Sequence, residues 1–252
     1  MSERTAMDVT PDRRTAGAAA FAWLVHAITA SSAIFALLSL GAIERGQWQL
    51  ALLWLLAALV VDGLDGTLAR AAKVKVHAAR IDGETLDLIV DYLTYVFVPT
   101  IFIWRAGLVP EEWGLALAAV IQLSALYLFT RRDLKTDDNY FRGFPALWNV
   151  VALYLFVSDA DPMVGAAAVL ACAALTFAPV VFVHPFRVVE FQPWLRVFAA
   201  VWAISTLALL WPRWEASVQQ ALLWTSLAMA AILFALSLVR TFRGERKAAP
   251  AV

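Results

Sequence analysis

Four aspartates lie in two pairs within one short stretch of an otherwise apolar chain. Asp62 and Asp65 are three residues apart, and Asp87 and Asp91 are four residues apart. Because residues three and four apart share a helix face, each pair presents two carboxylates on one side of a helix. Ionised side chains are costly near a bilayer and persist there mainly when they are paired, hydrated or bound to ions. The pattern therefore predicts a site where four carboxylates converge on metal.

The residues around the aspartates indicate which chemistry such a site would serve. Carboxylate oxygens favour hard cations, Mg²⁺ or Mn²⁺, whereas zinc sites usually recruit His or Cys. Two such ions about 3.5 to 4 Å apart would stabilise a transferring phosphate and its leaving oxygen. Gly66, Ala69 and Gly83 leave room for a headgroup near the backbone, and Arg70 offers phosphate a rigid fork of donors. The stretch predicts metal-dependent phosphoryl chemistry.

Composition places these residues in a membrane protein. Of 252 residues, 62% are hydrophobic, and the mean hydropathy is +0.72, far more apolar than an average soluble domain. The 20 basic and 20 acidic residues cancel, so the charge gives no case for nucleic-acid binding. Cys172 is the only cysteine in the sequence, which excludes an internal disulfide framework and a thiolate metal cluster.

The apolar segments predict an all-α, polytopic membrane helix bundle with about eight transmembrane helices. The predicted spans are Ala16 to Ile43, Gln47 to Ala69, Gly83 to Trp104, Trp113 to Phe129, Phe144 to Val157, Pro162 to Val183, Trp194 to Leu210 and Ser217 to Val239. The first would be about 42 Å long as one helix, against a hydrocarbon core of about 30 Å. We therefore expect it to tilt, or to break at the polar string from His26 to Ser32.

The distribution of basic residues predicts the orientation of the bundle. With the N-terminus in the cytoplasm, 17 of the 20 Lys and Arg residues lie on the cytoplasmic side, and only Arg45, Arg105 and Arg213 lie outside. Both termini are then cytoplasmic, and so is the aspartate cluster. The predicted organisation is a cytoplasmic lead over residues 1–15, a transmembrane domain over 16–240 and a basic tail over 241–252.

Acidic residues outside the four aspartates have other expected roles. Asp82 and Glu84 flank Gly83 at the start of the helix that carries Asp87. We expect them to cap that helix or to be solvated, because a negative charge suits a helix N-terminus. Asp137 and Asp138 lie in a charged loop, where we expect solvation or pairing with Arg131 and Arg132 rather than metal binding.

The run from Asp62 to Asp91 resembles the signature of the CDP-alcohol phosphotransferase family, DxxDGxxAR followed by a spacer and GxxxDxxxD. Every specified position is present: Asp62, Asp65, Gly66, Ala69, Arg70, Gly83, Asp87 and Asp91. The twelve-residue spacer, Ala71 to Asp82, is longer than in the common pattern. It is similar to the spacer of the bacterial branch that makes phosphatidylcholine. Four other runs also resemble the sequence of that branch: Val25 to Ser32, Asp91 to Pro99, Lys135 to Asn149 and Phe182 to Val189.

The resemblance implies an activity and roles for the motif residues. The reaction would join CDP-diacylglycerol and choline to give phosphatidylcholine and CMP, with Mn²⁺ or Mg²⁺, as two ions, as cofactor. Asp62, Asp65 and Asp87 would bind metal, and Asp91 would complete the site and act as general base. Gly66, Arg70 and Gly83 would contact or accommodate the CDP moiety. The resemblance also implies a homodimer in the bacterial inner membrane, with its active site facing the cytoplasm.

Choline adds a requirement of its own. A quaternary ammonium cannot donate a hydrogen bond, so it is normally held by aromatic faces, helped by a carboxylate. Five aromatic residues lie near the cytoplasmic edge of the cluster by the predicted topology, and we expect some of them to form the cage: Tyr92, Tyr95, Tyr140, Phe141 and Trp148.

Two other functions are compatible with the pattern. The same chemistry with serine, glycerol phosphate or inositol phosphate would keep the carboxylates, but a phosphorylated acceptor would want a denser basic pocket. A cation transporter would also use carboxylates. Transporters place them near the bilayer midplane and often carry inverted repeats, whereas here they lie at one edge and no repeat is visible, which favours the enzyme.

Overall fold

The computed structural model describes residues 13–185, 188, 190–211 and 213–244, with side chains from residue 16 onward. Residues 1–12 of the predicted lead and 245–252 of the predicted tail lie outside the described part. The helices are α1 (Arg13–Glu44), α2 (Trp48–Ala72), α3 (Val74–His77), α4 (Gly83–Asp91), α5 (Val98–Arg105), α6 (Gly114–Thr130), α7 (Trp148–Val157), α8 (Pro162–Phe177), α9 (Trp194–Leu209) and α10 (Ala216–Arg243). One small antiparallel sheet pairs β1 (Phe141–Arg142) with β2 (Val181–Phe182).

Five helical segments of the described chain are long and apolar enough to cross a membrane. They are Ala16–Glu44, Trp48–Ala72, Gly83–Arg105, Glu111–Thr130 and Ala216–Arg243. The shorter apolar helices α7, α8 and α9 occupy the places of the other three predicted spans. The all-helical architecture is that of a multi-pass membrane protein.

The predicted break in the first span is wrong, because α1 is one continuous helix of 32 residues. Its polar side chains are satisfied without interrupting the backbone. Ser31 Oγ donates to the carbonyl of Ile28 at 2.6 Å, and Thr29 Oγ1 donates across to Asp65 on α2 at 2.7 Å. Hydroxyls that bond their own preceding turn or a neighbouring helix leave the ladder of helix hydrogen bonds intact.

The connection between α2 and α4 is built by local capping. Lys73 ends α2 in the left-handed region, with φ of 48°, and α3 follows at once. The predicted cap at Asp82 is confirmed, since its carboxylate accepts hydrogen bonds from the backbone N–H groups of Glu84 and Thr85. These caps turn the chain back, so that α4 starts near the end of α2 and the two signature halves face each other.

A π-helical segment, Tyr92–Phe97, joins α4 to α5 directly after Asp91. Such segments widen a helix by one residue per turn and are frequent at functional sites. The main core includes fully buried residues of α2, α5, α6 and α7, among them Leu52, Phe102, Ile121 and Leu153. The half-buried carboxylates therefore lie at the edge of a well-packed bundle.

Helices α9 and α10 pack against each other and against the rest of the chain through polar contacts. Ser226 on α10 hydrogen-bonds both Tyr154 on α7, at 2.6 Å, and Thr206 on α9, at 2.7 Å. Trp202 donates its indole N–H to the same tyrosine oxygen at 2.8 Å. Three helices are thus joined at one buried point.

Candidate active site

Three carboxylates meet between α2 and α4. Asp62 on α2 and Asp87 and Asp91 on α4 each offer an oxygen atom, and these oxygens lie within 4.8 Å of one another. All three side chains are half-buried. Like charges at this spacing repel strongly, and oxygen-only donor sets of this kind suit hard divalent cations. The residues present therefore fit Mg²⁺ or Mn²⁺.

Asp65, the fourth predicted ligand, has a different environment. It is 6% exposed and accepts the hydrogen bond from Thr29 on α1. It does not belong to the three-carboxylate group that the described residues form. Its hydrogen bond ties α1 to the signature, and its role as a metal ligand stays a prediction.

Tyr95 supports the cluster from the π-helical segment. Its hydroxyl donates to Asp62 Oδ2 at 2.5 Å, and the side chain is 6% exposed. A hydrogen bond to a metal-binding carboxylate fixes the orientation of that carboxylate and affects how tightly it holds the ion. The same residue lies one turn beyond Asp91, so its ring and the cluster share a face.

The three residues predicted to accommodate CDP border the cluster differently. Gly66 and Gly83 are half-buried, and Arg70 is exposed, with its Nη2 donating to Thr67 Oγ1 at 3.1 Å. At Gly83 a Cβ atom would lie 2.9 Å from Cε1 of His26. The structure thus gives a packing reason for glycine at position 83, because α1 approaches its backbone closely.

A cavity of about 110 Å³ opens beside Asp87 and Asp91. It lies between α4, the π-helical segment, the end of α6 and the loop that leads to β1. Its lining combines two acids, three aromatic rings, one lysine and apolar side chains: Asp87, Leu88, Asp91, Tyr95, Leu128, Phe129, Leu134, Lys135, Phe141 and Pro145. The volume suits a small molecule rather than a drug-sized ligand.

The five aromatic candidates divide into two groups. Tyr95 and Phe141 line the cavity. Tyr92 instead donates to Gln122 Oε1 at 2.5 Å, while Tyr140 is 2% exposed and Trp148 is fully buried. The last three do not line this cavity, and their placement makes them part of its supporting structure.

Sequence reasoning missed several residues of the site. Phe129 and Lys135 line the cavity, and Lys135 Nζ lies 5.1 Å from the centroid of the Phe141 ring. Phe129 reads as an ordinary apolar span residue, and only its position in the last turn of α6 could have indicated a site. His26 and Thr29, noted as breaks in a helix, instead contact Gly83 and Asp65.

The two loop acids, Asp137 and Asp138, differ in their environments. Asp137 is exposed, as solvation predicts. The expected pairing of Asp138 with Arg131 or Arg132 is wrong, because Asp138 pairs with Arg240 of α10 at 2.8 Å, and Arg131 pairs with Asp133 at 2.8 Å. The loop that forms one wall of the cavity is therefore joined to the distant C-terminal helix through Asp138.

Comparison with known proteins identifies the group to which this site belongs. The family model described as CDP-alcohol phosphatidyltransferase matches residues 22–181, which include the whole signature. The chain belongs to the CDP-alcohol phosphatidyltransferase family. This family is divalent-metal dependent, in agreement with the carboxylate group of Asp62, Asp87 and Asp91.

Several relatives of this phosphatidyltransferase are named phosphatidylcholine synthase. One from Pseudomonas aeruginosa is 52% identical over 185 residues, covering 73% of this chain and 78% of the relative. One from Bradyrhizobium diazoefficiens is 42% identical over 205 residues, covering 81% and 75%. One from Borreliella burgdorferi is 39% identical over 171 residues, covering 68% and 73%. The predicted family and enzyme class are confirmed.

Proposed function

We infer that this phosphatidyltransferase makes phosphatidylcholine, by transferring the phosphatidyl group of CDP-diacylglycerol to the hydroxyl of choline and releasing CMP. Relatives named for this product support the inference, the first of them at 52% identity. The observation that carries it in the structure is the cavity where aromatic rings meet the carboxylates of Asp87 and Asp91.

The reaction is a displacement at the phosphorus that carries diacylglycerol. The choline oxygen forms a bond to this phosphorus, the bond from phosphorus to the CMP oxygen breaks, and the choline proton moves to a base. Asp91 is the proposed base, because it lines the acceptor cavity and belongs to the carboxylate group. Positioned proton transfer contributes about 10² to 10⁴ in rate.

Asp62, Asp87 and Asp91 are the proposed metal ligands, with Asp65 as a fourth. Two Mn²⁺ or Mg²⁺ ions there would neutralise the transferring phosphate and the leaving oxygen. Tyr95 orients Asp62, and Thr29 holds Asp65. Arg70 is exposed, and its guanidinium would exchange Thr67 for a CDP phosphate. Gly66 and Gly83 would accommodate the CDP moiety, with His26 of α1 packed against Gly83.

The cavity beside these carboxylates is the proposed choline subsite. Tyr95, Phe129 and Phe141 present aromatic faces, and Asp87 and Asp91 supply negative charge. A quaternary ammonium is attracted by both. Tyr92, Tyr140 and Trp148, which lie behind the cavity wall, act as supports in this proposal.

A phosphorylated acceptor fits the cavity less well. Among the described residues that line it, Lys135 is the single cation, against two acids. A dianionic phosphate needs several donors or cations to balance its charge. Choline carries the opposite charge and matches the lining.

The proposed topology has eight spans, with both termini and the active site on the cytoplasmic side of a bacterial inner membrane. Its support is the concentration of 17 of 20 basic residues in alternate loops and the position of the cluster beside the basic connection from α2 to α4. The transmembrane domain would cover 16–240, and a homodimer is the proposed assembly. Labelling of single cysteines in intact cells tests the orientation, and light scattering in detergent tests the dimer.

An acceptor panel tests the function. Purified protein receives CDP-diacylglycerol and Mn²⁺ with labelled choline, serine, glycerol phosphate or inositol phosphate, each in a separate reaction. We expect product with choline at a rate at least about tenfold above the others, as charge complementarity predicts. Product with serine and none with choline would overturn the assignment.

A further inference from the structure

The C-terminal pair of helices lies outside the segment that the family model matches. The match ends at residue 181, whereas α9 and α10 run from Trp194 to Arg243. Helix α10 nevertheless contacts the loop and the strand that form one wall of the choline subsite. In its last turns, Arg240 contacts Asp138, which lies 102 residues earlier in the sequence.

The first contact is an ion pair between the buried Arg240 and the half-buried Asp138. Arg240 Nε and Nη2 lie 2.8 and 3.1 Å from the two carboxylate oxygens of Asp138, and Arg240 is 5% exposed. Thr136 adds a hydrogen bond to the same carboxylate at 2.6 Å. Burial opposes ionisation of Asp138, but the bonds from Arg240 and Thr136 outweigh it and hold its pKa below the ordinary value of 3.8. The pair is therefore charged at neutral pH.

The second contact is aromatic. The Arg240 guanidinium lies 5.3 Å from the centroid of the Tyr140 ring. Tyr140 is 2% exposed and packs with Val181, Val188 and Leu195. The next residue in the chain is Phe141, whose ring lines the cavity. A cation that fixes Tyr140 therefore constrains the backbone from which Phe141 projects.

The third contact fixes the strand opposite Phe141. Ser237 and Thr241 on α10 accept hydrogen bonds from the backbone N–H groups of Val183 and Val181, each at 3.0 Å. Val181 begins β2 and Val183 follows it, and Phe182 between them is the register partner of Phe141. One face of α10 thus holds β2 directly, and β1 through its pairing with β2.

The middle of α10 is held separately, because Ser226 hydrogen-bonds Tyr154 of α7 and Thr206 of α9. Helix α10 is therefore joined to the bundle independently of the loop, and it can position the cavity wall.

We propose that Arg240 is a positioning residue for the acceptor: by pairing with Asp138, it sets the place of Phe141 and Lys135 in the cavity and so determines the affinity for choline. The inference rests on the proposed choline subsite. It assigns a function in substrate recognition to a helix outside the matched family segment. Arg240 touches neither substrate, and its effect passes through the loop.

The test measures KM for each substrate separately in variants of the pair. Arg240→Lys keeps the charge and loses the two-pronged geometry, and Asp138→Asn removes the charge from the loop. We expect the choline KM to rise about tenfold or more in both variants, because small misplacement of binding groups is costly. The KM for CDP-diacylglycerol and kcat at saturating choline should stay within about threefold, since the carboxylate cluster is not moved.

Matched controls exist in the same elements. Arg243→Lys changes an exposed arginine three residues along α10, and Asp133→Asn removes the other paired acid of the loop. Both should leave the choline KM unchanged. Because removing one member of a half-buried ion pair weakens folding, the double variant Asp138→Asn with Arg240→Gln is measured as well. It removes both charges and should show the same raised choline KM.

The outcomes separate this inference from the function on which it rests. An unchanged choline KM in the folded double variant, or an equal rise for both substrates, would overturn the positioning role. Phe141→Leu tests the subsite itself. If Phe141→Leu raises the choline KM and the Arg240 variants do not, only this inference fails; if Phe141→Leu has no effect, the subsite assignment fails.

Discussion

The hydroxyl of Tyr95 donates a hydrogen bond to Asp62 across the gap between two helices, at 2.5 Å. Asp62 belongs to the first half of the signature and Tyr95 follows its second half, so one bond joins both halves. The ring of the same tyrosine lines the proposed acceptor cavity. Tyr95 therefore links the proposed metal ligands to the proposed choline subsite, and its two proposed functions are separable by substitution.

Tyr95→Phe removes the hydroxyl and keeps the ring. We expect the Mn²⁺ concentration for half-maximal activity to rise about tenfold, the lower end of the effect of losing a hydrogen bond to a metal ligand. The choline KM should change little, because the aromatic face remains. Activity measured at varied Mn²⁺ gives the first quantity, and activity measured at varied choline gives the second. Tyr92→Phe is the control, since its hydroxyl bonds Gln122 away from the cluster; equal metal dependence in the two variants would contradict the role of Tyr95.

Thr29→Val removes the hydroxyl that donates a hydrogen bond to Asp65, and it preserves the shape of the side chain. A hydrogen bond to a buried carboxylate contributes about 1.5 to 3 kcal/mol, so we expect weaker metal binding and a lower Tm. Thr29→Ser, which keeps the hydroxyl, should recover both. Thr94→Val is the matched control, because that buried hydroxyl bonds only the carbonyl of its own helix at Val90. If Thr29→Val needs the same metal concentration as the wild type for half-maximal activity, the proposed effect of Thr29 on the metal site is wrong.

Gly83→Ala distinguishes two reasons for glycine at that position. The new methyl group would lie 2.9 Å from Cε1 of His26, so we expect a loss of activity of about tenfold or more from displaced helices. In a His26→Ala background the clash is absent, and Gly83→Ala should then cost much less. If the loss is the same in both backgrounds, the glycine is required by the CDP moiety rather than by the packing of α1.

Phe129→Leu and Phe141→Leu each remove an aromatic face from the cavity and retain its apolar character. We expect the choline KM to rise about 3- to 30-fold, as loss of a cation–π contact predicts. Inhibition by the neutral isostere of choline, with carbon in place of nitrogen, should be unaffected. Trp148→Phe, at a fully buried position behind the wall, should leave the choline KM unchanged. Parallel effects on choline and on its neutral isostere would argue against an aromatic cage.

The sequence was sufficient for features that depend on spacing along one helix. The spacing from Asp87 to Asp91 predicts a shared face, and both carboxylates join Asp62 in the structure. The cap at Asp82 was equally local and is confirmed. Hydropathy located the apolar helices, because the need to bury backbone polar groups in lipid leaves few alternatives.

Features that depend on contacts between distant segments could not be predicted. Asp138 pairs with Arg240, 102 residues away, although Arg131 is far nearer in sequence. Tyr140 and Phe141 are neighbours, yet one is buried under Arg240 and the other lines the cavity. In such cases proximity in sequence gives no information on which side chain faces the site.

Formation of labelled phosphatidylcholine by Asp91→Asn and by the wild-type protein tests the central claim most directly. Purified protein receives CDP-diacylglycerol, labelled choline and Mn²⁺, and CMP is measured in the same reaction. We expect equal amounts of phosphatidylcholine and CMP from the wild type, no product with a chelator, and a rate lower by about 10² to 10⁴ for Asp91→Asn, the contribution of a general base. Product formed equally well with the chelator, or at the wild-type rate by Asp91→Asn, would contradict the account.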